Sequence, residues 1–161
     1  VWEDDEFVGV VLFGRGASPY LLTPYGLTQY EGAELTRVAL SSHSSFVSQI
    51  VSLALGRLKE SNPGLRLVVS FADSNQGHHG GIYQAGNWIY TGMSAPKYHY
   101  IGPDGKRYHD RLIHSGGVFR ADQCKAVHEK GKHRYLMPLD KAIRRQVLKL
   151  SSPYPSIAGE V

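Results

Sequence analysis

Side chains capable of acid–base chemistry are concentrated between residues 65 and 91. Asp73 ends an apolar run, His78 and His79 follow within a few residues, and Tyr83 comes next. A carboxylate at a strand end can accept a proton from an amine nucleophile or orient that amine. A phenol can donate a proton to a leaving group or an oxyanion. The stretch therefore indicates acid–base chemistry, and the alternative is a Gly-rich connection with two exposed histidines.

The residues around these side chains predict a strand, a polar turn, a short helix and a second strand. The apolar run at Leu65–Phe71 is typical of a buried strand, and residues 80–85 can form one or two helical turns. Asn87 tolerates the left-handed conformation in which helices often end, and residues 88–91 are aromatic and β-branched. This order places polar side chains at a strand end, which binding sites in open α/β sheets favour.

Arg37 lies in the middle of a predicted strand, Glu34–Leu40. A charged residue in a buried strand needs a partner, so Arg37 points either to a cleft or to an exposed face, and we favour the cleft. A helix is predicted over residues 45–60, because apolar residues recur there at helical spacing. The polar residues ahead of this helix could bind a phosphate, and they are Ser41, Ser42, His43, Ser44 and Ser45. The alternative is that Ser44 or Ser45 simply caps the first turn of the helix.

The other segments give a coarser prediction. Residues 1–3 and Phe7–Phe13 should pair as a hairpin, and residues 17–32 form a loop whose tyrosines either stack on bases or pin it to the body. A second hairpin is expected around the turn at residues 102–105. Residues 111–130 lack periodicity and are predicted as loop. A strand at 133–136 and a basic helix at 141–150, capped by Asp140, complete the chain.

Composition and charge indicate one globular domain with a polyanionic partner. The 161 residues are 42% hydrophobic and 20% charged, with a single cysteine and no apolar run long enough to span a bilayer. Residues 97–149 contain 13 Lys/Arg and 5 Asp/Glu, whereas the rest contains 5 Lys/Arg and 9 Asp/Glu. This segment predicts contact with a polyanion such as nucleic acid, double-stranded DNA included, the alternative being a solvated basic face. The candidate contacts are Lys106, Arg107, Arg111, Lys132, Arg134, Arg144, Arg145 and Lys149.

The segment Tyr83-Gln84-Ala85-Gly86-Asn87-Trp88 resembles the pattern of Tyr, three residues, Gly and Phe in GNAT-type N-acetyltransferases. This resemblance implies an α/β fold: a single GNAT-like domain whose twisted, mostly antiparallel sheet is flanked by helices, with residues 97–161 as a basic C-terminal extension. It also implies acetyl-CoA or a related acyl donor, held by residues 41–45 and Asn75. Residues 41–45 lack the glycines of that family's pyrophosphate loop.

Four longer blocks are similar to the Mom proteins of bacteriophages: FVGVVLFGRGASP, GAELTRVALSSH, GLRLVVSFADSNQGHHGGIYQAGNWIYTG and KHRYLMPLD. The resemblance implies an enzyme of the host bacterial cytoplasm that adds a methylcarbamoyl group to the exocyclic amine of adenine and shields phage DNA from restriction. It makes Asp73, Tyr83, Arg37 and Ser48 the catalytic candidates, although Ser48 could equally be a packing residue. The family's N-terminal segment with a His-Tyr pair is expected to be absent from this chain.

Two other functions remain open at this point. One is a CoA-dependent N-acetyltransferase that acts on a small amine, and the other is a non-catalytic DNA-binding protein on a GNAT-like scaffold. A metal also remains open, with His78 and His79 as candidate ligands or phosphate contacts. Adjacent histidines diverge in a regular element, so we do not expect both to bind one metal ion.

Overall fold

The computed structural model describes residues 1–117 and 119–156, which form ten strands and four α-helices. The strands are β1 (Trp2–Glu3), β2 (Glu6–Phe7), β3 (Gly9–Gly14), β4 (Gly32–Leu40), β5 (Leu67–Ala72), β6 (Ile89–Met93), β7 (Lys97–Ile101), β8 (Arg107–His109), β9 (Lys125–Glu129) and β10 (His133–Pro138). The helices are α1 (Val47–Ser61), α2 (Gly81–Ala85), α3 (Asp110–His114) and α4 (Lys141–Leu148).

The central sheet has five strands in the order β3-β4-β5-β10-β6. Only β4 and β5 run parallel among its described neighbouring pairs. Strand β10 lies between β5 and β6, and its residues Tyr135 and Leu136 are fully buried. The predicted α/β class, with a mostly antiparallel sheet flanked by helices, is confirmed.

Apolar side chains cover both faces of the central sheet. Helices α1 and α2 pack on one face, with Val51, Leu55 and Trp88 in the core. Helix α4 packs on the other face through Ile143, together with the loop between β3 and β4, whose Tyr25 is buried. The loop is therefore pinned to the body by one of its tyrosines. The other two are exposed, which leaves a contact with bases open for them.

The helix predicted over residues 45–60 is α1, and three of the five side chains predicted to be buried on this helix and the neighbouring strands are buried. Val51, Leu55 and Val68 are buried as expected, whereas Leu58 and Val10 are half-buried. The short helix and the strand after it also form as predicted. Helix α4 is capped by Asp140, as expected, and ends two residues earlier than predicted.

The first predicted hairpin forms, but its second strand is much shorter than predicted. Strand β1 pairs with the short β2, whereas β3 pairs with β4. Asp4 and Asp5 adopt positive φ angles of 46° and 67° in the turn, and Gly9 at φ 142° redirects the chain before β3. The expected continuous strand Phe7–Phe13 is therefore split in two.

Residues 97–129 form a second, three-stranded sheet in the order β8-β7-β9. The predicted hairpin of β7 and β8 is confirmed, but the loop predicted over residues 111–130 contains most of α3 and all of β9. Strand β9 is largely exposed and polar, so it lacks the apolar alternation by which a strand is recognised in a sequence.

The structure divides the predicted extension of residues 97–161 differently. The second sheet is an insertion between β6 and β10, after which β10 returns to the middle of the central sheet and α4 covers one face of it. None of the helices in the described parts of the chain combines the length and the apolar character needed to cross a bilayer.

Candidate active site

The central sheet opens where its two parallel strands separate. Residues 32–35 of β4 pair with residues 67–70 of β5. Both strands continue further, β4 to Leu40 and β5 to Ala72, without pairing with each other. The separation leaves a gap at the carboxyl ends of the two strands, which is the sheet edge predicted to carry the site.

A β-bulge in β4 accounts for this separation. Leu12 lies opposite Arg37 and Phe13 lies opposite Leu35, so Thr36 is an extra residue in β4. A bulge bends its strand and redirects the side chains that follow it. The bulge therefore turns β4 away from β5 at the point where Arg37 begins to face the gap.

The gap is a cleft of about 660 Å³, a size within the range of ligand-binding sites, roughly 300–1,000 Å³. Arg37 from β4, Asp73 from the end of β5 and Tyr83 from α2 all line it. His78 and His79 line it as well, on the loop between Asp73 and α2. Three of the four predicted catalytic residues are therefore brought together from separate parts of the chain.

Asp73 is held by hydrogen bonds on both carboxylate oxygens. Its Oδ2 lies 2.9 Å from Nζ of Lys132, and its Oδ1 accepts from the backbone and side-chain N–H groups of Asn75, each at 3.1 Å. The hydrogen bond from Lys132 is the main cause of a lowered pKa of Asp73, and Asn75 lowers this pKa further against the opposing effect of burial. Asp73 is therefore a fixed, ionised acceptor at neutral pH.

Tyr83 is buried, with 8% of its surface exposed. Its hydroxyl oxygen lies 2.8 Å from Oγ of Ser70, which lies 2.7 Å from the carbonyl oxygen of Leu35. Since a carbonyl only accepts, Ser70 satisfies both contacts when it donates to Leu35 and accepts from Tyr83. Burial raises the pKa of Tyr83, so this residue is a proton donor at neutral pH.

An aromatic cluster fixes the position of Tyr83 and of the histidine loop. The Tyr83 ring lies 5.1 Å from the ring of Trp88 and 5.0 Å from that of Tyr135. The hydroxyl of Tyr135 donates to the carbonyl oxygen of His79. Gly80 has a φ of 89°, and a Cβ atom there would lie 2.3 Å from the Tyr135 ring. Only glycine allows the loop to pass this close to the cluster.

The histidines of the loop differ in exposure. His78 is exposed, whereas His79 is half-buried. Burial, and to a smaller extent the electrostatic influence of His79, lowers the pKa of His133. Within residues 1–117 and 119–156, no group of three or more His, Cys, Asp or Glu side chains is placed to hold a metal ion. Metal binding at His78 or His79 stays a prediction.

The N–H groups ahead of α1 bind a carboxylate of the same chain. The backbone N–H of Ser44 donates to Glu3 at 2.7 Å and that of Ser45 at 3.0 Å. These hydrogen bonds, with that of Ser44 the largest, lower the pKa of Glu3 to about 2. The N-cap is Phe46, so the predicted cap by the side chain of Ser44 or Ser45 is wrong. A phosphate bound by residues 41–45 would have to displace the Glu3 carboxylate.

Two other predicted site residues do not line the cleft. Ser48 lines a separate groove of about 230 Å³ that runs along α1 beside Trp88. Asn75 exchanges two hydrogen bonds of 3.2 Å with the backbone of Lys130 and also binds Asp73. Asn75 therefore connects the turn after β5 to the end of the insertion.

The predicted DNA contacts are distributed over the insertion, β10 and α4. Arg134 is half-buried, and its Nε donates to Oγ1 of Thr91 at 2.8 Å. The other seven are exposed: Lys106, Arg107, Arg111, Lys132, Arg144, Arg145 and Lys149. Because Lys132 binds Asp73, it belongs to the candidate active site as well as to the basic surface.

Ser70 and the Lys132 ion pair are features of the site that the sequence did not reveal. Ser70 is the only hydroxyl residue of β5, and a polar residue in an otherwise apolar buried strand is a signal that could have been read. The partner of Lys132 could not have been inferred, because Asp73 and Lys132 meet only through the pairing of β5 with β10.

Comparison with known proteins places the chain in a family. The model of the Mom protein family matches residues 1–156. The methylcarbamoylase mom of Escherichia phage Mu is 32% identical over 119 residues, which make up 67% of this chain and 48% of that protein. The chain thus spans about half the length of this curated relative. It belongs to the Mom protein family.

Proposed function

We propose that this chain carries the active site of a phage DNA-modification enzyme that transfers a methylcarbamoyl group to the exocyclic amine of adenine. The observation that carries the proposal is the cleft between β4 and β5, where Arg37, Asp73 and Tyr83 meet. The name of the phage Mu relative supports the identity of the transferred group. We further propose that the product protects DNA from restriction, and that the donor is of the acyl-CoA type.

The transfer needs one new bond and two proton movements. The adenine amine attacks the carbonyl carbon of the methylcarbamoyl group, and a C–N bond forms as the bond to the donor's leaving group breaks. The amine loses one proton, and the leaving group gains one. Negative charge develops on the carbonyl oxygen during the attack, so the site needs a cationic or hydrogen-bonding group for that oxygen.

The three residues suit these tasks. The ionised Asp73 can orient the amine by accepting a hydrogen bond from it, and it can take the proton that the nitrogen loses once the new C–N bond has made that nitrogen more acidic. Arg37 can donate to the developing oxyanion with its fork of N–H groups. Tyr83 can donate to the leaving group if Ser70 rotates its hydroxyl toward Tyr83, which frees the phenolic proton. Ser70 would then stabilise the phenolate.

Adenine must leave the helical stack to reach this cleft, because its exocyclic amine is paired in the duplex. The volume of about 660 Å³ offers space for a base together with the reacting end of a donor. Phe71 and Tyr83 line the cleft and provide aromatic surface for the extruded base. The basic residues on the surface of the chain would hold the duplex through its phosphates.

Acetyl transfer to a small amine has less support. A small amine would leave the exposed basic residues of the insertion and α4 without a role.

Mass spectrometry of nucleosides tests the proposal. The complete open reading frame that encodes this chain is co-expressed with a plasmid, and plasmid DNA is digested to nucleosides and, in parallel, with restriction enzymes. We expect a deoxyadenosine heavier by one methylcarbamoyl group and resistance to cleavage. Unmodified DNA with turnover of acetyl-CoA would instead identify an acetyltransferase, and retention of DNA without turnover would identify a binding protein.

A pair of arginine variants locates the chemistry. Arg37→Ala removes a cation from the cleft, whereas Arg57→Ala removes one from an exposed ion pair with Glu60 on α1. We expect Arg37→Ala to abolish most of the modification and Arg57→Ala to retain it. Equal modification by both variants would move the active site away from this cleft.

A further inference from the structure

The insertion carries a second cleft, of about 640 Å³, on one face of its three-stranded sheet. Its charged lining consists of Lys97 of β7, Arg107 of β8, Asp110 and Arg111 of α3 and Glu129 of β9, and His99 and His109 line it as well. His99 lies directly opposite His109 in the sheet, and Lys97 lies opposite Glu129. Three cations against two carboxylates leave the lining with a net positive charge, which favours an anionic ligand.

The ion pairs of this cleft leave cationic groups available. The Glu129 carboxylate binds Arg107 and lies 3.1 Å from Nδ1 of His99, a contact that is close but not aligned as a hydrogen bond. No carboxylate of the described residues lies within ion-pair distance of Lys97 or Arg111. One carboxylate therefore serves two partners, while two full positive charges face the cleft without a counterion from this part of the chain.

Each cleft carries a lysine that acts on the same carboxylate. Burial raises the pKa of Glu34 on β4, and a backbone hydrogen bond from Ala17 and the charges of Lys132 and Lys97 oppose this rise. Lys132 binds Asp73 in the first cleft, and Lys97 lines the second. One cation of each cleft is therefore close to Glu34.

The end of the insertion is fastened to the active-site turn. Oγ of Ser74 donates to the carbonyl oxygen of Gly131 at 2.7 Å, and Asn75 exchanges hydrogen bonds with Lys130. A ligand in the second cleft is thus held at a fixed position relative to Asp73.

We propose that the second cleft binds the sugar–phosphate backbone of DNA beside the adenine that enters the cleft between β4 and β5. This inference rests on the proposed function, because it assigns the flanking part of the same substrate. Lys97 and Arg111 contact phosphates, and Arg107 keeps N–H donors free for another phosphate while it binds Glu129. Glu129 limits the affinity, because its negative charge faces the same polyanion.

Salt-dependent binding of a fluorescent DNA duplex tests this assignment. Each phosphate that a variant no longer binds should reduce the slope of log affinity against log salt concentration by roughly 0.9. A rise from 50 to 200 mM salt should therefore weaken DNA binding by the variant about 3.5-fold less than it weakens binding by the wild type. We expect this change for Lys97→Ala and for Arg111→Ala, and not for Arg57→Ala on α1. Melting temperatures confirm that each variant is folded.

A second pair of variants tests the effect of removing a negative charge instead of a positive one. Glu129→Gln removes a negative charge from the cleft, and Glu60→Gln removes one from the exposed ion pair on α1. We expect Glu129→Gln to bind DNA more tightly than the wild type and Glu60→Gln to bind it equally well. Equal effects of the two substitutions would show a general influence of net charge and overturn the assignment.

The outcomes separate this inference from the proposed function. If wild-type protein modifies plasmid DNA but the lysine and arginine variants keep the full salt dependence, the second cleft does not bind the backbone and only this inference fails. If inorganic phosphate binds the protein at low millimolar concentration while duplex DNA does not bind, the cleft is a site for small anions and the inference also fails. Wild-type protein that neither binds nor modifies DNA would remove both proposals.

Discussion

Replacement of Tyr83 by Phe separates the catalytic role of this residue from its packing role. The variant keeps the ring between Trp88 and Tyr135 and loses only the hydroxyl that contacts Ser70. Ser70 still donates to the carbonyl oxygen of Leu35, so no buried donor is left unpaired. The lost neutral hydrogen bond should cost about 1 kcal/mol, which lowers the melting temperature by roughly 2–4 °C in a protein of this size.

The expected effect on catalysis is larger. Loss of a positioned proton donor slows a reaction by about 100- to 10,000-fold, which corresponds to about 3–5 kcal/mol in the activation barrier. A stability loss of about 1 kcal/mol leaves most of the protein folded and cannot account for such a decrease. The rate of modification and the melting temperature therefore report on different roles.

Tyr90→Phe is a matched control. Tyr90 is 8% exposed, as is Tyr83, and its hydroxyl lies 3.0 Å from Nδ1 of His133, but it does not line the cleft. The fraction of modified deoxyadenosine is followed over time after induction for both variants and the wild type. We expect similar melting temperatures for the two variants and loss of modification only for Tyr83→Phe. Equal modification rates for both would refute the role of Tyr83 as a proton donor.

Substitutions at four other places separate catalysis, DNA binding and folding. Asp73→Asn should lower modification by about 100- to 10,000-fold with little change in DNA affinity or melting temperature, because an amide still caps the turn after β5; full modification would exclude an essential carboxylate. Alanine substitution of Arg144 and Arg145 on α4 and of Lys149 directly after it should reduce the salt slope of DNA binding by roughly 0.9 for each phosphate that is no longer bound. An unchanged slope would identify this face as merely solvated. The Glu3 carboxylate stabilises the fold at pH values above its usual pKa of 4.5, and this contribution disappears as the pH falls towards its folded pKa of about 2. The melting temperature of Glu3→Gln should therefore lie below that of the wild type at pH 6 and approach it near pH 2, whereas a constant difference would contradict the assignment. Asn87 has a φ of 56°, so Asn87→Ala should lower the free energy of unfolding by about 1 kcal/mol while Asn87→Gly should not, as denaturant titrations of the two variants can show.

Local sequence patterns predicted the elements around the site well. The apolar run of β5, the short helix α2 and the left-handed Asn87 each depend on a few neighbouring residues, so their conformations are encoded locally. The same reasoning placed Asp73 and Tyr83 at one sheet edge, and the resemblance to the Mom family added Arg37 to the candidates. The structure brings these three residues to one cleft. Their chemical roles stay predictions.

Pairing between distant segments was not predictable in the same way. Strand β9 is polar and pairs with β7 across α3, so no local pattern indicates it. The position of β10 between β5 and β6 depends on strands far earlier in the chain, and composition alone made its segment look like an appended basic region. Ser48 lies on α1, as predicted, but it lines a different groove from the cleft.

The central position of β10 has a consequence for folding during synthesis. Until residues 133–138 leave the ribosome, β5 and β6 have no common neighbour, and each presents an unpaired edge to other chains. Tyr135 and Leu136, both fully buried in the finished sheet, supply the contacts that join its two parts. A nascent chain must therefore wait for residues 133–138 before the core closes, and the interval exposes it to aggregation and to chaperones.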